Sequence, residues 1–317
     1  ESFTKALKIY QSLKAPQLKV AKLYEDIGSV SESYRAYKQA VENYHLALEI
    51  YQKKPEEYQN DIIRIFYHIA EVYAKSSAHQ ISALNNYKKA IEALKLANIK
   101  PNSEYFSAFH KAGFILFRQG KKDEALTYFE EFLTIKSKEN TDHNPEVAKV
   151  YNYIGILLSS KREYSEAIEN FQKALSIFKK RFGQEHLEVA ATYQYLAECY
   201  FLQNKLEDSI ENLKKAIKIK LNHYEDRYLE IAELFQRLGN LQVRANRYTE
   251  AMGSFSDACK IRLKHLGQSN NETEKSQRSL FALKMFALMV FFAAVATKKD
   301  DNLKLQFMNL FKRMPSL

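Results

Sequence analysis

Glycine and proline are scarce in this chain, eight and five in 317 residues, and no low-complexity stretch interrupts it. That shortage excludes the flexible linkers that separate domains, so one continuous array with no domain break is expected. Cysteine is nearly absent as well. Cys199 and Cys259 both fall at positions expected in a core, where buried free thiols, and hence a reducing compartment, are the reading. Enzyme signatures are missing: there is no glycine-rich phosphate loop, no His-Glu-x-x-His pair and no CxxC motif. The eight histidines are scattered. His143, His186, His223 and His265 lie near turns, and His68 lies beside an apolar column. The chain is read as non-catalytic, with no cofactor and no metal.

A repeat is present instead. Asn144-Pro145-Glu146-Val147-Ala148 returns as His186-Leu187-Glu188-Val189-Ala190 and again as Tyr228-Leu229-Glu230-Ile231-Ala232, a step of 42 residues. Small residues keep the same step at Gly113, Gly155, Ala197 and Gly239, preceded by Ala70 and Gly28. Four residues before each stands an aromatic: Tyr24, Phe66, Phe109, Tyr151, Tyr193 and Phe235. A second small residue follows at Ala40, Ala83, Ala125, Ala167, Ser209 and Ala251, and four further on come Tyr44, Tyr87, Phe129, Phe171, Leu213 and Phe255.

Within a unit these residues share one face of a helix, twice over, so each unit is an antiparallel helix pair. Facing small residues let the two backbones approach while the rings fill the space beside them. Asn144 is a favourable cap, Pro145 suits the first helical position, and Glu146 complements the dipole. Asn102-Ser103-Glu104 after Pro101 opens the third unit similarly. Arrays of this kind bind rather than transform.

The columns resemble the tetratricopeptide repeat, and the run Val147-Ala148-Lys149-Val150-Tyr151-Asn152-Tyr153-Ile154-Gly155 with Tyr164, Ala167, Phe171, Ala174 and Leu175 carries the match. The period and the Phe182-Gly183-Gln184-Glu185-His186 linker are similar to the kinesin-light-chain variety. The resemblance implies an all-α fold, a right-handed α-solenoid of helix pairs. Residues 1–20 would be the second helix of a truncated repeat. Six repeats follow at 21–62, 63–105, 106–147, 148–189, 190–231 and 232–273, and 274–317 would form an apolar capping hairpin with a second helix at 303–311.

From Leu280 to Thr297 only Lys284 and Thr297 are not apolar. A terminal cap is the preferred reading. A dimerising or partner-docking helix and a membrane span, which would bury Lys284, stand behind it. The net charge of +10 could draw acidic partners or nucleic acid, but lysines such as Lys214, Lys215, Lys218 and Lys220 recur on second helices, where solvation explains them. Neither nucleic acid nor a membrane is an expected partner, and oligomerisation through the last helix is left open. Asn271-Glu272-Thr273 matches a glycosylation sequon, which an intracellular chain would leave unused.

The resemblance also implies where a partner protein or peptide would bind, because first helices of the family line a concave groove. Its fifth column holds Glu25, Tyr67, His110, Asn152, Gln194 and Gln236. The three consecutive amides could pair with the main chain of an extended peptide. Arg64, Arg118 and Arg244 would add charge, Phe114, Phe117 and Phe201 apolar pockets, and Asn240 a polar contact. The carboxylate clamp of chaperone-binding relatives is not expected, since Glu25, Tyr67 and His110 stand in its column. A non-enzymatic adaptor holding an extended peptide or helix of a partner in the groove is the expected function, with a structural subunit of a motor, ciliary or other assembly and a sensor joined to an effector domain as the alternatives. A cytoplasmic location, cytoskeletal or ciliary included, fits all three.

Overall fold

A computed structural model describes residues 16–97, 103–137, 144–223 and 227–297, with the backbone alone at 103–104 and 290–297. The expected helices at 1–20 and 303–311 lie largely or wholly outside the described residues. The chain divides into two compact units, Glu1–Asp142 and His143–Leu317, where the sequence predicts one uninterrupted array.

The first unit holds three helix pairs: α1 (Gln17–Ser33) with α2 (Tyr37–Tyr51), α3 (Gln59–Ala74) with α4 (Gln80–Ala97), and α5 (Ser103–Arg118) with α6 (Lys122–Ser137). A single 3₁₀ turn at Ser77–His79 absorbs the one-residue insertion of the second repeat. The second unit holds α7 (Pro145–Ser160) with α8 (Tyr164–Phe182), α9 (Leu187–Leu202) with α10 (Leu206–His223), α11 (Tyr228–Arg244) with α12 (Tyr248–Leu266), and α13 (Asn271–Thr297). No strand occurs among the described residues.

Two devices recur among the pairs. The first is the turn. Arg35, Gly120, Arg162, Asn204 and Asn246 all have φ near 60–76°. That left-handed residue lets the next amide reach back five residues to the first helix, as Glu163 N donates to Leu158 O at 3.0 Å and Lys205 N to Tyr200 O at 2.8 Å. The second is a ring laid on a glycine. A methyl group added at Gly28, Gly113, Gly155 or Gly239 would stand 2.5–2.7 Å from the ring of Tyr44, Phe129, Phe171 or Phe255. At these four positions a side chain would displace the ring, so the glycine and the ring occur together.

Helix starts follow the sequence signals. Asn144 Oδ1 accepts from Glu146 N at 2.8 Å with Pro145 at the first turn, and His186 Nδ1 accepts from Glu188 N at 3.2 Å. The latter bond requires an unprotonated Nδ1. Cys199 and Cys259 are free and buried, and burial pushes both thiols up.

The last helix departs from the pattern. Leu288 stands 42 residues after Asn246, at the place of the left-handed turn residue, and the backbone runs on as one helix of 27 residues. Leu280, Leu283 and Ala287 pack on Ala251, Met252 and Phe255 of α11–α12's hairpin, so one stripe of α13 covers the last pair. Phe281, Met285, Phe286 and Met289 remain exposed. No helix of the described residues is long and apolar enough to cross a membrane.

Candidate functional site

In the first unit the fifth column is used for joining helix pairs. Tyr67 is buried on α3, shares a 2.7 Å hydrogen bond with Ser107 of α5, and accepts from Lys111 Nζ at 2.8 Å. Lys111 also pairs with Glu71 at 2.6 Å. Burial alone would lower the lysine's pKa, but the bonds to Glu71 and Tyr67 outweigh it and the ammonium is held above its ordinary value. Arg64 is held by Glu25 at 2.5 Å and by Asp61, which corrects the expectation that it offers free charge. His110 packs its ring 5.4 Å from that of Phe132. Phe114 and Phe117 are half-buried, and exposed Arg118 stands 6.0 Å above the Phe114 ring.

In the second unit the three amides differ. Asn152, 5% exposed on α7, donates through Nδ2 to Thr192 Oγ1 of α9 at 3.0 Å, while its Oδ1 is buried with no partner. Gln236, 7% exposed on α11, has both ends filled: Nε2 donates to Ser279 at 3.1 Å, and Oε1 accepts from Ser276 at 3.0 Å and from Arg262 at 3.3 Å. Gln194 alone is half-buried without a hydrogen bond among the described residues. The expected ladder of three solvent-facing amides is therefore corrected. Within a unit, a polar side chain at this column can reach the following first helix before it reaches solvent, as Tyr67, Asn152 and Gln236 do.

A rule missed in the sequence governs this column. Tyr67–Ser107, Asn152–Thr192 and Gln236–Ser276 are each forty residues apart. The hydroxyls that receive them recur only in every second repeat, with Ile65, Val150 and Leu234 at the intervening positions. The alternation was visible as Ser107, Thr192 and Ser276, two residues short of the 42-residue step.

A second buried feature was also missed. Phe178, Lys220 and Arg262 occupy one column of the second helices, 42 residues apart, and all are buried. Lys220 pairs with Glu230, and Arg262 with Glu272 at 3.3 Å and with Ser276. Where the column holds Phe178, the corresponding Glu188 turns to Lys149 instead, at 3.9 Å.

The structure does bring Phe201, Asn240 and Arg244 together. They line a cleft of ≈ 320 Å³ between α9, α10 and α11, with Ala197, Ser209, Leu213 and Leu241 as its apolar floor. The guanidinium of Arg244 stands 4.6 Å from the Phe201 ring centroid. Ser209 donates to Ala197 O at 2.7 Å, so the buried hydroxyl is satisfied within the floor. Arg237 on the rim is neutralised by Glu198. Arg244 and Asn240 have neither ion pair nor hydrogen bond among the described residues. Arg237 and Asn240 also border a wider polar cleft between α11 and α13, of ≈ 650 Å³, with Gln236, Arg262 and Lys275. First helices α9, α11 and α13 thus present one face with an apolar and a polar half. No group of His, Cys, Asp or Glu able to hold a metal occurs among the described residues.

Comparison with known proteins agrees with this architecture. A tetratricopeptide repeat model matches residues 104–180, 147–222 and 188–264. No curated protein matches the chain. Among solved structures, BtubC (BKLC) from P. vanneervenii is similar with a TM-score of 0.60 at 18% identity, over 74% of this chain and 92% of that one. A protein of Podosopora anserina described as a kinesin light chain with nearly identical TPR-like repeats is similar with a TM-score of 0.52 at 15% identity, over 66% and 97%.

Proposed function

The chain belongs to the tetratricopeptide repeat family, and from that premise we propose that it is a non-catalytic adaptor whose second unit holds an extended segment of a partner protein along α9, α11 and α13. The observation that carries the reading is the pair of clefts that meet at Arg237 and Asn240. A partner segment lying across α11 would meet apolar floor on one side and amide, hydroxyl and charged groups on the other. Gln194, Asn240 and Arg244 supply donors and acceptors without a hydrogen-bond partner among the described residues. Buried Asn152 serves by joining α7 to α9 through Thr192. Buried Gln236 serves by holding α13 in place. In the first unit, Phe114, Phe117 and Arg118 on α5 offer a smaller apolar and charged face of the same kind.

A photoactivatable residue placed at Asn240, with a control at exposed Lys218 on α10, tests the reading in extracts of the native source. Adducts from position 240 that disappear when Arg244→Ala and Gln194→Ala are added, with little from 218, are the expected result. Equal adducts from both positions, or adducts from 218 alone, overturn it.

A second reading, a structural subunit of a larger assembly, is favoured by the exposed Phe281, Met285, Phe286 and Met289 on α13. Sedimentation of the protein with the last two changed to glutamine checks it. An unaltered sedimentation coefficient in native extracts argues against it.

A further inference from the structure

The cleft between α9, α10 and α11 exists where the repeat lacks its ring. Tyr44, Tyr87, Phe129, Phe171 and Phe255 occupy the aromatic column of the other hairpins, all buried. In the hairpin of α9 and α10 that column holds Leu213, opposite Ala197. A leucine is shorter than a ring and cannot reach along the groove between the helices. Its place is the floor of the ≈ 320 Å³ cleft. Its apolar lining is Ala197, Leu213 and Leu241 with the Phe201 ring, one face of which is taken by Arg244 at 4.6 Å. The rim charge is unbalanced: Arg237 is cancelled by Glu198, and Arg244 has no acidic partner among the described residues.

We propose that this cleft is a socket for one aliphatic side chain of leucine size on the partner segment, with a carboxylate beside that side chain held by Arg244. This rests on the adaptor reading and names what that face selects. The guest would supply the packing that a ring supplies in the other hairpins, so its burial is the anchor of binding. Arg244 would form a charge-assisted bond to the carboxylate without first breaking an ion pair, which favours acidic over neutral partners. With Arg244 already on one face of Phe201, a guest ring gains no stacking on that face, so an aliphatic anchor is preferred to phenylalanine.

The test uses the full chain, backbone amides followed by NMR, and four probes: acetyl-Gly-Leu-Glu-Gly-amide, the same peptide with Gln for Glu, with Ala for Leu, and with Phe for Leu. The first peptide should shift the amides of Ser209, Leu213 and Leu241, and the other three should bind more weakly. Leu213→Phe should weaken the first peptide about tenfold or more by filling the socket. Ala70 opposite Tyr87 shows that this chain fits a ring across from an alanine. Should that variant misfold, Ala197→Gly with Leu213→Phe restores the arrangement of the neighbouring hairpins and serves the same purpose. Arg244→Gln should remove the preference for Glu over Gln. Binding on α9, α11 and α13 that survives the filled socket, or tighter binding of the Phe peptide, overturns the socket and leaves the adaptor reading standing. No shift from any peptide, while a partner is still captured from Asn240, also overturns the socket alone. Loss of capture from Asn240 overturns the adaptor reading.

Discussion

Ser276 of α13 donates to Gln236 Oε1 of α11 at 3.0 Å, and Arg262 of α12 joins the same oxygen at 3.3 Å. Three consecutive helices are thus fastened at one buried amide. The arrangement is satisfied at every polar end that Gln236 presents, which is the condition under which a buried polar network stabilises rather than costs.

Thr192→Val leaves the Asn152 amide nitrogen buried without its acceptor. The expected loss is about 1–3 kcal/mol, read as a lower urea midpoint at unchanged helicity. Asn152→Leu combined with Thr192→Val removes both partners and should recover most of that loss. A double variant no more stable than the single one would show that the pair is not coupled.

Glycine substitutions should separate by position. At Gly155 an added methyl would lie 2.6 Å from the Phe171 ring, so Gly155→Ala forces the ring aside and should cost about 1–3 kcal/mol. Gly253, exposed within α12, meets nothing within 4 Å, and Gly253→Ala should stabilise by about 1 kcal/mol through helix propensity. Thermal melts of the two variants should move in opposite directions.

Lys220 stands in the column that Phe178 fills elsewhere. Lys220→Met exchanges a buried ammonium for an apolar side chain of similar length and should change stability by about 1 kcal/mol or less. Glu230→Gln keeps the shape but strips the lysine of its carboxylate, and should be the more damaging of the two. Chemical unfolding of both variants at low and high salt checks the order.

Tyr44, Tyr51 and Tyr87 donate to Glu32, Glu25 and Glu71 of the paired first helices, and burial together with those carboxylates raises all three phenols above their ordinary value. Above a pH of about 10 the unfolded chain loses these protons before the folded one does. The unfolded state then binds fewer protons, so stability falls with rising pH and is full below that point. Unfolding titrations should show a steep alkaline decline that Tyr→Phe replacement at the three sites reduces. A decline identical in the triple variant would refute the assignment.

The helix pairs and their turns were legible because each depends on residues close in sequence: a cap, a small residue, a ring sixteen positions later. The candidate site was legible in part. Phe201, Asn240 and Arg244 line one cleft, all three projecting from first helices. Asn152, Gln236 and Arg64 do not face outward, and what captures each of them lies in another helix. Column membership gives the direction of a side chain but not the length of the reach to its neighbour. The socket was invisible for the opposite reason, since Leu213 reads as an ordinary apolar residue until the missing ring is noticed.

The alternation of Ser107, Thr192 and Ser276 with apolar residues carries a consequence for how such a chain can grow or shrink. Excising a single 42-residue repeat from the second unit would bring Asn152 opposite Leu234 and strand its amide. Removing two would bring it opposite Ser276, a hydroxyl again. The exchangeable cassette is therefore a pair of repeats, and the array has a parity that insertion or deletion must respect.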